Sequence, residues 1–438
     1  MALRERITRW LQRTNNFWFS LYAAGVAFLL YTCVYTFRKT FSVATFDGLL
    51  FLGISYKVWL VTFQVLGYAL SKFIGIKIMS ELKSNSRAKS IFISSLIAVF
   101  SWLLFALVPA PYNIVFLFTN GLPLGMIWGM IFNYLEGRRC TEVLGAGLSI
   151  SFIFSSGFAK TVGSYVMQWG ASEMWMPFVT SCIFFIPLLI FIWLLDRLPP
   201  PSWADEKMRT KRKPMDGSQR KKFIVSFFPG LALLIIAYTL LTALRDFRDN
   251  FSAEIWNTLG YGDNPEIFTL TEIPISFGVL IVMGSIMFIR NNMQALVINH
   301  FIIISGLALI GLSTILFERQ IIDAPLWMTL IGLGLYLGYV PFNSIFFDRL
   351  IASFQYAGTV GFIMYVADSF GYLGSAGVLL YKEFGYASLS WLEFFTVAGY
   401  VISILGSLLI LGSMIYFTNK QRVWQKAEVT RNQEVVTT

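Results

Sequence analysis

Two arginines lie at matching positions in the two halves of this chain. Arg38 falls within FRKTFS at 37–42, and Arg248 falls within the related segment FRDNFS at 247–252. Each segment follows a long apolar run, where an arginine costs about 2.5–3.5 kcal/mol on membrane-insertion scales. A guanidinium binds phosphate or carboxylate through two parallel hydrogen bonds. We therefore expect the two halves to hold an anion between them, with one arginine from each half.

The composition places these arginines in a membrane protein. Of 438 residues, 56% are hydrophobic and 13% are charged, and the mean hydropathy is +0.66. About twelve apolar runs are long enough to cross a ~30 Å hydrocarbon layer as helices. Lipid offers no hydrogen-bond partners, so the backbone groups of such runs must pair with each other, as they do in an α-helix. We predict an all-α integral membrane protein with twelve transmembrane helices. The predicted spans are 19–40, 58–79, 90–109, 112–135, 146–168, 175–195, 224–245, 267–289, 294–317, 325–347, 357–380 and 391–417.

The charge distribution predicts the orientation. The net charge is +10, and the polar segments that share a side with the two termini hold 25 lysines and arginines, against seven on the other side. This asymmetry follows the positive-inside rule, so both termini are expected on the cytoplasmic side. The expected location is the inner (cytoplasmic) membrane of the cell. The basic excess is therefore interpreted as a topology signal, and no nucleic-acid partner is expected.

The basic segment 196–222 divides the chain into two sets of six helices. We predict a first six-helix bundle at 1–195, a cytoplasmic linker at 196–222, a second bundle at 223–417 and a cytoplasmic tail at 418–438. Segment 246–266 is predicted to be a polar external connection. Two parallel six-helix halves form the architecture of the major facilitator class, in which the substrate site lies at the interface of the repeats near the middle of the membrane.

The sequence gives little sign of other chemistry. Three cysteines, Cys33, Cys140 and Cys182, have no metal-ligand or disulfide spacing, and His300 is the single histidine. No nucleophile–base set, phosphate-binding loop or dinucleotide motif is present. We expect no enzyme activity, no cofactor and no metal.

Several short segments resemble one family within that class, the organophosphate:phosphate antiporters, which include the glycerol-3-phosphate and hexose-phosphate transporters. The similarity is clearest in the first two helices, and weaker glycine motifs follow in order along the chain. The segments are YTCVYTFRKTFSVA at 31–44, GYALSKF at 67–73, SELKSNSR at 80–87, GMIWG at 125–129, LTE at 270–272 and GYLG at 371–374. Departures such as Glu81, where an aspartate is usual, indicate a distant branch.

The resemblance implies a phosphate site built from one arginine in the first helix and one in the seventh. Arg38 matches the first arginine. Arg245 fits the family spacing for the second, whereas Arg248 fits the internal repeat, and the two are three residues apart and can share one helix face. The resemblance further implies that Lys72, Lys160 and Glu272 belong to the site.

Other residues are candidates from their own chemistry. Tyr35 and Tyr68 are expected to line the cavity. Asp368 interrupts an apolar helix, so it is expected to neutralise a site cation or to carry a coupling proton. Four charged residues at the cytoplasmic ends of helices are expected to act in gating, namely Glu81, Arg87, Asp348 and Arg349.

These features favour a secondary active transporter that moves a small organic anion by alternating access, and the family resemblance implies a phosphorylated one. The expected partners are that solute, inorganic phosphate or a proton as counter-ion or co-ion, and the lipid bilayer, and the protein is expected to be a monomer. A proton-coupled permease for another solute, such as a muropeptide, sugar or carboxylate, is an alternative. A ligand sensor of the same fold that does not transport is another, and a lipid flippase is a third.

Overall fold

The computed structural model describes the backbone at 2–81, 86–136, 138, 141–201, 217–286, 288–354, 360–385 and 389–436. Fifteen α-helices lie in these ranges. They are α1 (Ala2–Arg13), α2 (Asn16–Lys39), α3 (Tyr56–Glu81), α4 (Arg87–Leu107), α5 (Val115–Leu135), α6 (Thr141–Gln168), α7 (Met176–Leu195), α8 (Gly217–Asn250), α9 (Ser252–Thr258), α10 (Ile267–Ile286), α11 (Asn292–Glu318), α12 (Ala324–Ser344), α13 (Phe346–Ser353), α14 (Val360–Gly385) and α15 (Trp391–Val436).

Twelve of these helices form the membrane part of the protein. In the described residues, ten helical segments are long and apolar enough to cross a membrane. The remaining two long helices, α6 and α14, pack among them. The structure therefore confirms an all-α, multi-pass membrane protein.

Two boundaries differ from the predicted ones in a way that matters for the site. Helix α8 continues to Asn250, so residues 246–250, predicted to start an external connection, form its last turn. Their buried ion pairs, described below, make helix possible for a polar stretch. Helix α15 continues to Val436, so the predicted tail is helical over most of its length. Within the predicted linker, 202–216 lie outside the described residues.

The helices form two bundles that meet along two seams. In the first bundle, α2 packs on α6 and α7, and α5 packs on α3 and α4. In the second, α8 packs on α14 and α15, and α12 packs on α10 and α11. The bundles touch mainly where α6 meets α10 and where α3 meets α14. At the first seam a Cβ on Gly157 would collide with the carbonyl oxygen of Phe268, so the absence of a side chain permits the approach.

The end of α2 is fixed by side chains from three neighbouring helices. The indole nitrogen of Trp102 in α4 donates to the carbonyl oxygen of Phe37 at 2.5 Å, and the amide of Asn120 in α5 donates to the same oxygen at 3.2 Å. The amide of Gln64 in α3 donates to the carbonyl oxygen of Arg38 at 2.8 Å. These bonds satisfy carbonyls that the helix end leaves free and fix the backbone that carries Arg38. A short hairpin, β1 (Leu50–Phe51) paired with β2 (Ile54–Ser55), then leads into α3.

Candidate functional site

Buried charges join the ends of α2 and α8 to α6. The ammonium nitrogen of Lys39 lies 2.8 Å from one carboxylate oxygen of Asp249, and that of Lys160 lies 2.6 Å from the other. The Lys39 ammonium also donates to the side-chain oxygen of Asn250 at 2.7 Å, and the hydroxyl of Ser156 donates to Asp249. The side chains of both lysines are 3% exposed. We call Lys39, Lys160 and Asp249 the inter-bundle ion cluster, because both lysines come from the first bundle and the aspartate from the second.

The cluster has a simple origin in the internal repeat. Lys39 follows Arg38 in FRKTFS, and Asp249 follows Arg248 in FRDNFS, so the two paired residues occupy the same position of the two copies. Equivalent positions of two repeats meet where they lie next to the symmetry axis that relates them. Because the two residues at that position have opposite charges, they form an ion pair that joins the bundles.

More polar contacts link the bundles at the same end of the protein. The ammonium of Lys57 lies 2.6 Å from a carboxylate oxygen of Glu254 and donates to the carbonyl oxygen of Ser42 at 2.8 Å. Burial raises the pKa of Glu254 above its ordinary value, although the charge of Lys57 opposes the shift. The hydroxyl of Tyr165 donates to Glu266 at 3.0 Å. We call the end at which α2 and α8 terminate the closed end, because these contacts and the ion cluster tie the bundles together there.

Arg38 differs from the other buried cations described, because it has no acidic partner. Arg38 is buried, with 9% of its surface exposed. The guanidinium carbon lies 4.0 Å from the ring centre of Tyr68 and 5.7 Å from that of Tyr35. Among the described residues, no side chain or backbone oxygen accepts a hydrogen bond from it, and its Nε is buried without a partner. A cation–π contact offsets part of the cost of burying a charge, and an anion between the aromatic rings would offset more.

The two candidate arginines of α8 have different surroundings. Arg248 lies 2.6 Å from Glu272 and donates to the carbonyl oxygen of Met328 at 3.2 Å, so its polar partners belong to the second bundle, although it lines a small cavity with Lys160 of the first. Arg245 lies 2.7 Å from Asp246, and its guanidinium carbon is 4.0 Å from the ring centre of Tyr339.

An aromatic wall connects Arg245 with Arg38. Tyr68, beside the Arg38 guanidinium, packs edge to face on Tyr372 with ring centres 5.2 Å apart. Tyr339, beside Arg245, stacks on Tyr238, which donates to Asp368. Arg245 is thus linked through aromatic residues to the side chains around Arg38, whereas the polar contacts of Arg248 are to Glu272 and Met328.

Lys72 and Asp368 form a third link between the bundles. Their charged atoms lie 3.7 Å apart, and the Lys72 ammonium is 5.4 Å from the ring centre of Tyr68. Asp368 also accepts a hydrogen bond of 2.5 Å from the hydroxyl of Tyr238, which itself accepts one from Asn343 at 3.2 Å. Asp368 therefore lies between the bundles beside a site cation, and we call the region bounded by Arg38, Tyr68, Lys72, Arg245 and Asp368 the chamber.

The balance of charge between the bundles is positive. Six cations and four acids lie around the chamber and the ion cluster, which leaves a formal excess of two positive charges. They are Arg38, Lys39, Lys72, Lys160, Arg245 and Arg248, with Asp246, Asp249, Glu272 and Asp368. The chemistry suited to such a chamber is the binding of an anion.

The four predicted gating residues lie at the opposite end from the ion cluster. Glu81 is the last residue of α3, and its side chain lies outside the described residues. The guanidinium carbon of Arg87 is 5.4 Å from the ring centre of Tyr134. Asp348 and Arg349 lie in α13, and Arg349 donates to the side chain of Asn292 at 2.8 Å, within the second bundle. Of these side chains, Arg87 and Arg349 have their contacts with Tyr134 and Asn292, away from Arg38.

Sequence reasoning missed the residues that join the bundles most directly. Lys39 and Lys57 enter the sequence argument only among the seven basic residues on the side opposite the termini, and Glu254 has no predicted role. The signal that identifies Lys39 is the opposite charge at the equivalent position of the second repeat. Lys57 and Glu254 carry no comparable signal, because they lie outside the repeated segment.

Comparisons with known proteins agree with this architecture. Residues 40–420 match the profile of a family described as a family of unknown function, DUF5690. No curated protein matches the sequence. Among solved structures, the chain is similar to a D-xylose-proton symporter, with 15% identity, a TM-score of 0.62, and coverage of 91% of this chain and 97% of that one.

Two further solved structures give the same fold. A mutant of the nucleoside transporter NupG has 13% identity and a TM-score of 0.58, covering 90% of this chain and 99% of that one. A mutant of a peptide transporter, POT, in complex with sulfate has 13% identity and a TM-score of 0.59, covering 93% and 97%. These likenesses confirm the predicted major facilitator fold of two six-helix bundles.

Proposed function

The chain belongs to the family of unknown function DUF5690, and from this premise we propose that it is a secondary active transporter that moves a small organic anion by alternating access. The observation that supports this most is Arg38, a buried guanidinium between two bundles that has no acidic partner among the described residues. The fold supports it as well, since the solved structures that share it are transporters of a sugar, a nucleoside and a peptide.

The energetics of Arg38 favour an anionic ligand. An isolated buried charge carries a penalty of several kcal/mol unless it is paired. Other buried cations of the chamber have acids within 4 Å, whereas Arg38 stacks on Tyr68 and keeps its hydrogen-bond donors unused. A ligand that accepts two parallel hydrogen bonds from a guanidinium is a phosphate or a carboxylate. The resemblance to organophosphate:phosphate antiporters favours a phosphorylated solute.

The second half of the proposed anion site is Arg245. It lies on the same aromatic wall as Arg38, and its acid, Asp246, is also held by the hydroxyl of Ser375 at 2.7 Å. Because Ser375 already accompanies Asp246, Arg245 can turn part of its donor set towards a bound anion. Lys72 adds a third positive charge on the same side. In this proposal Arg248 and Glu272 support the second bundle and do not touch the solute.

The proposed transport cycle uses the two bundles as its moving bodies, at 1–195 and 223–417, joined by the linker 196–222. The protein is proposed to work as a monomer in the cytoplasmic membrane. Because both termini are expected in the cytoplasm, the closed end faces outwards. The ion cluster then seals the chamber from the outside in this state. Opening to the outside requires Lys39 and Lys160 to leave Asp249, while the far end closes. An anion held by both bundles favours the geometry in which Arg38 and Arg245 approach each other.

Phosphate exchange in liposomes tests this function. Purified protein is reconstituted into liposomes loaded with unlabelled inorganic phosphate, and uptake of external ³²P-phosphate is measured. We expect uptake that depends on the internal phosphate, and a loss of at least tenfold in Arg38→Lys, since an ammonium lacks the planar pair of donors. Arg319→Lys is the matched control, because Arg319 is exposed at the end of α11 and should leave uptake unchanged. Normal uptake by Arg38→Lys would contradict the proposal.

A proton-coupled permease is the second candidate, and Asp368 is the observation that favours it. This carboxylate lies in the chamber, where it contacts Lys72 and accepts a hydrogen bond from Tyr238. A carboxylate that exchanges its lysine for a proton would link solute release to proton movement. In that case a proton ionophore abolishes solute accumulation in energised vesicles, and preloaded phosphate fails to drive uptake. The opposite pair of results supports the antiporter.

A further inference from the structure

The first helix has no role in the proposed transport cycle, and it does not continue straight into the first membrane span. Trp10 in α1 and Tyr22 in α2 are twelve residues apart, yet their ring centres are 6.2 Å apart. In one straight helix they would be separated by about 18 Å along the axis. The chain therefore turns between the two helices, where Asn15 caps α2 by accepting a hydrogen bond from the backbone of Trp18.

Two hydrogen bonds hold α1 and the start of α2 against the end of α7. The hydroxyl of Thr8 donates to the carbonyl oxygen of Arg197 at 3.1 Å, just beyond the last residue of α7. The hydroxyl of Tyr22 donates to the carbonyl oxygen of Leu194 at 3.0 Å. Helix α1 thus lies across the end of the first bundle, at the level where α2 enters the membrane and α7 leaves it.

The faces of α1 differ in chemistry. Leu11 is buried against the bundle. Arg6, Arg9 and Arg13 are exposed, and their spacing of three and four residues places them in one stripe along the helix. Trp10 is 48% exposed and lies between this stripe and the buried face. A tryptophan beside a row of arginines is the arrangement found where a helix lies in the headgroup layer of a bilayer.

The exposed apolar surface continues from α1 into the first membrane span. Phe17, Trp18 and Leu21 at the start of α2 are 66%, 51% and 55% exposed. In a bilayer, an exposed apolar surface at the start of a membrane span is expected where the acyl chains begin, which places the neighbouring arginine stripe at the depth of the phosphates. Glu5 pairs with Arg9 at 3.5 Å and reduces the net charge of the stripe without removing it.

From this geometry we propose that α1 is a binding surface for anionic phospholipid headgroups, with Arg6, Arg9 and Arg13 as the charged contacts and Trp10 as the interfacial anchor. Three arginines at an anionic surface, with Glu5 set against one of them, correspond to a preference of about tenfold to a hundredfold over a zwitterionic headgroup. The inference depends on the position of α1 at the bilayer surface and is independent of what the protein transports.

The test measures lipid preference on the full-length protein in a neutral detergent. Fluorescent phosphatidylglycerol and the matching phosphatidylcholine are titrated separately, and energy transfer from tryptophan gives the apparent affinity of each. We expect the wild type to bind phosphatidylglycerol at least tenfold more tightly. The triple variant R6Q/R9Q/R13Q should lose this preference, and R6K/R9K/R13K, which keeps the charges, should retain it.

A control at the same end of the bundles separates a binding surface on α1 from general surface charge. Lys89, Lys221 and Lys222 are exposed at the starts of α4 and α8. The variant K89Q/K221Q/K222Q removes three positive charges, as R6Q/R9Q/R13Q does, and it should keep most of the preference. The proposal is overturned by a wild type without preference, by an R6Q/R9Q/R13Q variant that keeps it, or by equal losses in the two glutamine variants.

Discussion

Asp249 is the acid on which the closed end depends most, so Asp249→Asn should open that end. The carboxylate contacts Lys39 and Lys160 of the other bundle at 2.8 and 2.6 Å. The amide that replaces it has nearly the same shape but no charge. Both lysines are then buried without a counter-ion in the closed state. No such cost arises in the open state, in which the bundles no longer meet at this end.

The size of the effect follows from the burial of the cluster. Removing one partner of a buried ion pair costs about 3–5 kcal/mol. When this loss falls on the closed state alone, the ratio of closed to open molecules falls by about a hundredfold to a few thousandfold, at ~1.4 kcal/mol for each factor of ten. A protein that is almost wholly closed at this end would then spend much of its time open.

Distance measurements between spin labels detect this shift. Asp47 and Asp263 are exposed at the closed end, one in each half, and each accepts a labelled cysteine in a background without the native cysteines. We expect Asp249→Asn to add a population at longer distance by double electron–electron resonance. Asp323→Asn is the matched control, because Asp323 is an exposed cap of α12 and asparagine caps as well as aspartate. An unchanged distance distribution in Asp249→Asn would refute the role of the ion cluster.

Two further predictions follow from contacts of α6, α8 and α10. Gly157→Ala should widen the same distance, because its Cβ would collide with the carbonyl oxygen of Phe268 across the seam. Gly284→Ala is the control and should leave the distance unchanged, because no atom lies near its Cβ. Equal distances in both variants would argue against the seam. Arg248→Gln should lower the thermal unfolding temperature in detergent, because Glu272 stays buried without its ion pair, at a cost of about 3–5 kcal/mol. Adding Glu272→Gln should restore part of that loss, and a double variant no more stable than the single one would count against this interpretation.

Much of the architecture could be predicted from the sequence because membrane burial leaves a strong pattern. Long apolar runs, the basic segment near the middle and the asymmetry of charge together indicate two six-helix halves. Arg38 could be found for the same reason, since an arginine in such surroundings is costly. The end of α8 could not, because residues 246–250 are polar and resemble a loop until their buried partners are known.

The choice between Arg245 and Arg248 lies beyond the sequence for a geometric reason. Residues three apart on a helix share a face, so their spacing cannot separate them. What separates them is the neighbour that each one meets, Tyr339 for the first and Glu272 for the second. The ion cluster was missed for a related reason. The lysine and aspartate at equivalent positions of the repeat become partners only once the symmetry axis is known to pass between them.

The claim that Arg38 binds an anion between the bundles is tested most directly by anion-dependent thermal stabilisation. Wild type and Arg38→Gln are unfolded in detergent with inorganic phosphate, sugar phosphates and carboxylates over a range of concentrations. A ligand at 100 times its dissociation constant stabilises the folded state by about 2.7 kcal/mol, which is a shift of several degrees. We predict that at least one anion raises the unfolding temperature of the wild type in this way and that the shift disappears in Arg38→Gln. Equal stabilisation of the two proteins by the same anion would contradict the account.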